Sequence, residues 1–110
     1  MKLRFPEEFL LGVSSASTQI EGGEVGSNWN DWYHKGHIKD GSDPAVANDH
    51  WNRWREDSDL MAAMGLHVCR LGQEWARLMP KRREVSVEDV AHYTYELTYL
   101  RDHGIRPLVQ

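Results

Sequence analysis

The sequence predicts an α/β fold of about three parallel strands and two helices, the opening part of a larger domain such as a barrel. Two observations predict it. Runs with strand periodicity alternate with helical runs in the order strand, long loop, helix, strand, loop, helix, strand, and that alternation joins parallel strands through right-handed crossovers with helices laid on the sheet. The last run, Ile105 to Gln110, is itself an apolar strand; a sheet of three such strands has unpaired edges and leaves Leu108 and Val109 poorly covered. At 110 residues the chain holds one domain at most, so residues 1–110 are expected to be the amino-terminal part of a single larger domain. The competing account is an intact small protein that completes its sheet by homo-oligomerisation.

The elements follow in order. Residues 9–17, FLLGVSSAS, start apolar and decay into small polar residues, as a buried parallel strand does at its exit. From Thr18 to Asp43 no period is sustained and Gly22, Gly23, Gly26, Gly36 and Gly41 intervene; loops this long are functional or disordered, and Trp29, Trp32 and Tyr33 argue for order. Asp43 and Pro44 read as the N-cap and first residue of a helix that runs to Met64 and stops at Gly65. Its core stripe is Trp51, Trp54, Met61 and Met64.

Leu66 to Trp75 reads as the second strand, with His67, Cys69 and Leu71 on one face and Val68, Arg70 and Gly72 on the other. Arg70 is the anomaly, because a guanidinium inside a buried strand requires carboxylates, water or a polar site. Pro80 and the basic run Lys81, Arg82 and Arg83 make a solvated turn. Ser86 and Asp89 form an approximate capping box for a helix whose apolar face is Val90, Tyr93, Leu97 and Leu100. In the final strand, Pro107 is tolerable only near the beginning.

Composition excludes several function classes. A formal net charge of −4 with one short basic run offers nucleic acid no continuous positive surface. No apolar run reaches the roughly 18 to 20 residues of a membrane helix, and the amino terminus lacks a signal-peptide pattern, so no membrane partner and a cytoplasmic location are expected. The lone Cys69 forms no disulfide framework and points to a reducing compartment. Paired with His67 it suggests strand packing rather than a nucleophile. His34, His37, Asp40 and Asp43 share a loop with no spacing that makes them converge, so no metal site is expected. No glycine pattern matches a P-loop or dinucleotide fingerprint, and no cofactor is expected.

Three ordered blocks carry a resemblance. FPEEFLLGVSSASTQIEGG at Phe5 to Gly23, ANDHWNRWREDSDLMAAMGLHVCRLGQEWARLMP at Ala47 to Pro80 and, more faintly, HGIRPLV at His103 to Val109 are similar to the amino-terminal part of the family 1 glycoside hydrolases, the β-glucosidase and 6-phospho-β-glycosidase type. The resemblance implies a (β/α)8 TIM barrel with sugar bound at the carboxyl ends of its strands. A complete barrel takes roughly 250 residues or more, so about the first three strands lie here.

By the same resemblance, Gln19 hydrogen-bonds hydroxyls of the non-reducing sugar, a role that suits an amide able both to accept and to donate. Arg70 sits near the catalytic nucleophile, where a guanidinium keeps a carboxylate ionised and oriented. Glu21 braces the pocket, Trp75 shapes its wall, and His50 packs or hydrogen-bonds. Glu74 stands where many family members carry a smaller polar residue and some carry glutamate. It is not expected to be catalytic, because the family's acid/base comes from the fourth strand and its nucleophile from the seventh. The implied reaction is retaining hydrolysis of a β-glycoside or a phosphorylated β-glycoside by two carboxyls roughly 5 to 5.5 Å apart. These 110 residues alone are expected to be inactive. Two departures bear on pocket shape: SSAS at Ser14 to Ser17, near which the family usually has an aromatic residue, and GSNWNDW where it has a Ser-Ile-Trp type segment. The alternative from another class is a non-catalytic carbohydrate-binding or interaction protein that uses Gln19 with exposed Trp29, Trp32 or Trp54.

Overall fold

The structure is a computed structural model and describes residues 2–110. Its elements run β1 (Gly12–Ser14), α1 (Ser17–Ile20), α2 (Asn28–His34), α3 (His50–Ala63), β2 (Val68–Leu71), α4 (Trp75–Leu78), α5 (Val87–Asp102) and β3 (Arg106–Val109). The three strands form one parallel sheet in the order β1-β2-β3, with Ser14, Arg70 and Leu108 in one row across it. Sequential parallel strands joined through helices are consistent with the first part of a (β/α)8 barrel.

Side-chain parity divides the sheet. Cys69 and Leu71 point toward α3 and α5, where they join Leu100 and Ile105 in the core, with Met61, Ala62 and Leu97 packed around them. Ser14, Arg70 and Leu108 share the opposite face and are exposed. The expected alternation along β2 is therefore present, but Arg70 is not an interior charge within this chain. The face that carries it is the concave side of a barrel, and α3 and α5 cover the other one.

Close approach and missing donors explain two positions. A Cβ on Gly12 would meet the Val68 carbonyl oxygen at 2.5 Å, so only glycine lets β1 and β2 pair here. In β3, Arg106 N–H donates to the His67 carbonyl and Gln110 N–H to the Leu71 carbonyl. The alternate residues, Pro107 among them, turn their nitrogens to the open edge, where proline's missing N–H breaks no bond to β2.

The long helices differ in how well they were foreseen. In α5 the Ser86 hydroxyl accepts the Asp89 N–H at 3.3 Å, as the capping pattern predicts. The first long helix starts at His50, not at Asp43. Asp43 does cap a turn, its carboxylate accepting the Ala45 N–H at 2.8 Å, but Ala47 and Asp49 then adopt left-handed φ of 43° and 55°. The cause is tertiary: the Asn48 and Trp51 amides donate to the carbonyls of Ile20 and Glu21. The buried stripe of α3 is accordingly His50, Trp54 and Ser58, and Met64, expected inside, is 68% exposed.

The segment from Thr18 to Asp43, read from sequence as a loop, holds two short helices. Ser27 caps α2 through the Asn30 N–H, while α1 buries no residue. Likewise the second strand ends at Leu71 rather than Trp75. Glu74 accepts the Ala76 N–H at 3.2 Å and starts α4 there.

Candidate functional site

The carboxyl ends of β1 and β2 lead directly into α1 and α4, so these short helices form one rim of the sheet. Gln19 lies on α1 and is exposed. It lines an open cleft of about 290 Å³ with Thr18, Trp29, Ile38, Asp43 and Pro44. Arg70, on β2, donates from Nη1 to the Ser14 hydroxyl at 3.1 Å and the Ser15 carbonyl at 3.4 Å. Neutral acceptors orient its guanidinium and leave the charge unneutralised. Trp75 opens α4 and is 67% exposed. Thus Gln19, Arg70 and Trp75 all stand at or next to the carboxyl ends of the strands with exposed side chains.

Glu21 behaves differently. It is 5% exposed and fully engaged: Oε1 accepts the Tyr93 hydroxyl at 2.7 Å and Oε2 accepts Arg77 Nε at 2.9 Å. Burial pushes its carboxyl above the ordinary value, and the Tyr93 and Arg77 bonds offset part of that rise. Arg77 also donates to the Gly22 carbonyl and lies over the Trp51 ring, 3.9 Å from its centroid. Trp51 in turn stacks on His92 at 3.7 Å. Gly22 is obligatory in this arrangement, with φ of 77° and the Val46 carbonyl 2.7 Å from where a Cβ would stand.

A second buried group lies below the rim. His50 Nδ1 meets Asp57 at 2.6 Å and Nε2 meets Glu96 at 2.8 Å. Burial works against the charged ring, but hydrogen bonds to Glu96 and Asp57 outweigh it and hold the pKa at about 8. At neutral pH His50 is an imidazolium with both N–H groups donating, which ties α3 to α5.

The remaining side chains considered from sequence are engaged separately. His34 pairs with Glu24 at 3.0 Å, His37 packs on Trp32, and Asp40 accepts from Ser42. Cys69 is buried, and desolvation pushes its thiol up to about 11, so it carries no thiolate nucleophile. Sequence reasoning did not single out Arg77 or Glu96 and treated Tyr93 only as packing. Glu96 had a signal: it falls among Tyr93, Leu97 and Leu100 on a face otherwise apolar.

With this geometry in place, comparison with known proteins decides the family. The profile of glycosyl hydrolase family 1 matches residues 1–110. The chain belongs to glycosyl hydrolase family 1. It is 41% identical to a protein described as probable inactive beta-glucosidase 14 from Oryza sativa subsp. japonica, over 96% of this chain and 22% of that protein. It is 38% identical to beta-glucosidase 47 of Arabidopsis thaliana, over 96% of this chain and 21% of that protein. Among solved structures, the family 1 β-glucosidase from Thermotoga maritima superimposes with a TM-score of 0.86 at 35% identity, covering 96% of this chain and 25% of that one. The AHE enzyme from Alicyclobacillus herbarius gives 0.87 at 33% identity, over 97% and 26%. The chain therefore spans about a quarter of the length of these family 1 relatives, and it aligns with the beginning of the barrel.

Proposed function

We propose that this chain forms the first part of a retaining β-glycosidase and supplies one side of its sugar pocket. In this reading Gln19 hydrogen-bonds hydroxyls of the glycone. Arg70 faces the catalytic nucleophile across the barrel, holding that glutamate ionised and oriented. Glu21 braces the α1 segment that carries Gln19, and Trp75 shapes the wall beyond it. The observation that carries the reading is the placement of Gln19 and Arg70 at the carboxyl ends of parallel strands in a family 1 chain, the side on which barrel enzymes do their chemistry. A positioning role for Arg70 is supported by its bonds to Ser14 and Ser15, which aim the guanidinium without cancelling its charge.

Both catalytic glutamates belong to later strands in this account: one protonates the leaving oxygen, and the other attacks the anomeric carbon before water resolves the glycosyl-enzyme. Residues 1–110 alone then hydrolyse nothing, since the proton donor and the nucleophile are both elsewhere. One rice relative bears a name marking it as probable inactive, so likeness over this segment does not separate active from inactive members. The experiment is hydrolysis by the full-length protein of β-glucosides, β-galactosides and their 6-phosphates, with anomeric configuration followed by NMR. Release of the β-anomer first supports the proposal; absence of turnover on every substrate favours the non-catalytic carbohydrate-binding alternative.

A further inference from the structure

The helix that carries Gln19 has no core of its own. It is four residues long and none of its residues is buried, so apolar packing does not fix its position. Polar grips hold it at two ends. At its carboxyl end Glu21 is locked by Tyr93 and Arg77. At its amino end the Ser17 and Thr18 hydroxyls donate to Glu74 Oε2 at 3.3 and 3.4 Å.

Glu74 is well placed to transmit position. Its Oε1 accepts the Ala76 N–H at 3.2 Å, which pins its rotamer to the start of α4. Its own N–H donates to the Tyr93 hydroxyl at 2.9 Å, the same hydroxyl that donates to Glu21. The two grips therefore meet at one tyrosine, and β2, α5 and α1 are tied through it.

We infer that Glu74 is a positioning residue for sugar binding: it sets the placement of α1 and acts on the reaction through Gln19, not by proton transfer. This rests on the proposed sugar contact of Gln19. It accounts for a carboxylate at the rim whose two oxygens are both occupied by donors from the protein itself.

A double-mutant cycle in the full-length protein tests it, using Gln19→Ala, Glu74→Ala and the pair, with kcat and KM measured on a β-glycoside. Small misplacement of a positioning group costs about 10- to 100-fold, so Glu74→Ala is expected to lower kcat/KM by about tenfold or more. In the Gln19→Ala background the same substitution changes kcat/KM by less than about twofold, because coupled residues are not additive. Glu74→Gln keeps one oxygen for the Ala76 N–H and turns its NH2 toward Ser17 and Thr18, whose hydroxyls accept in place of donating, and is expected to stay within about threefold of wild type with an unshifted pH–rate profile. Additive losses from Gln19→Ala and Glu74→Ala overturn the positioning role while the sugar contact stands. A Glu74→Gln loss as deep as that of Glu74→Ala, or a missing limb in its pH profile, overturns it in favour of acid–base chemistry. If Gln19→Ala is silent, the sugar contact itself falls and the inference falls with it.

Discussion

Replacing Arg77 by Met in the full-length protein probes the buried brace beneath the rim. The change keeps an apolar stem against Trp51 but removes the cation from Glu21, whose side chain is 6% exposed against 12% for that of Arg77. Glu21 is left with the Tyr93 hydroxyl alone, and the Gly22 carbonyl loses its guanidinium donor. Breaking a buried ion pair from one side costs about 3–5 kcal/mol, because the surviving charge stays in low dielectric. Adding Glu21→Gln to Arg77→Met removes that charge and is expected to recover about 1–3 kcal/mol of the loss, the range of coupling between contacting residues. Urea unfolding followed by circular dichroism reads both values. A pH arm sharpens the test: burial already holds the Glu21 carboxyl above 4.5, and losing Arg77 raises it further. The Arg77→Met penalty therefore shrinks as the pH falls, because Glu21 takes up a proton more readily once the guanidinium is gone. A cost below about 1 kcal/mol, or no recovery in the double variant, would show that Glu21 is solvated and refute the reasoning.

Further outcomes follow from the same geometry. Arg70→Met in the full-length protein is expected to lower turnover by tenfold or more and to lower it by more than it lowers fold stability, since within the described residues Arg70 bonds only Ser14 and Ser15; melting loss with unchanged turnover contradicts its role. The His50 pKa is raised from 6.5 to about 8, so the folded state binds that proton more tightly than the unfolded chain. Its stabilisation is complete below pH 6.5, is lost as pH rises through about 8, and amounts to no more than about 2 kcal/mol. Asp57, Glu96, His92, Glu21 and Cys69 surround it on α3, α5, the α1 exit and β2. Glu96→Gln flattens this pH dependence in urea titrations between pH 6 and 9; an unchanged slope argues against the pairing. Gly22→Ala forces a Cβ onto the Val46 carbonyl at positive φ and is expected to cost about 1–3 kcal/mol, checked by the denaturation midpoint.

Much of the fold was legible because it depends on local periods. Cys69 and Leu71 alternate with Val68 and Arg70, and that alternation alone assigns the two faces of β2. Ser86 and Asp89 announce the start of α5 through contacts three residues apart. What escaped depends on contacts distant in sequence. The start of α3 is displaced because carbonyls of Ile20 and Glu21 capture the amides of Asn48 and Trp51, and no local pattern near Asp43 records that capture. The helices α1 and α2 are too short to show a period.

The same division runs through the site. Gln19 and Arg70 stood out through a family motif and an awkward strand charge. The Glu21–Arg77–Tyr93 brace joins residues 56 and 72 positions apart, so only the folded chain brings it together. For Arg70, period-two logic separated it from Cys69 and Leu71, and within the described residues it meets the polar partners Ser14 and Ser15 while α3 and α5 cover the other face.

The most direct test is a crystal structure of the full-length protein with a β-glycoside analogue bound. The account predicts the Gln19 amide at hydrogen-bond distance, roughly 2.7 to 3.2 Å, from a glycone hydroxyl, and the Arg70 guanidinium against a carboxylate of the seventh strand. A sugar seated elsewhere, with Gln19 and Arg70 both in solvent, would contradict it.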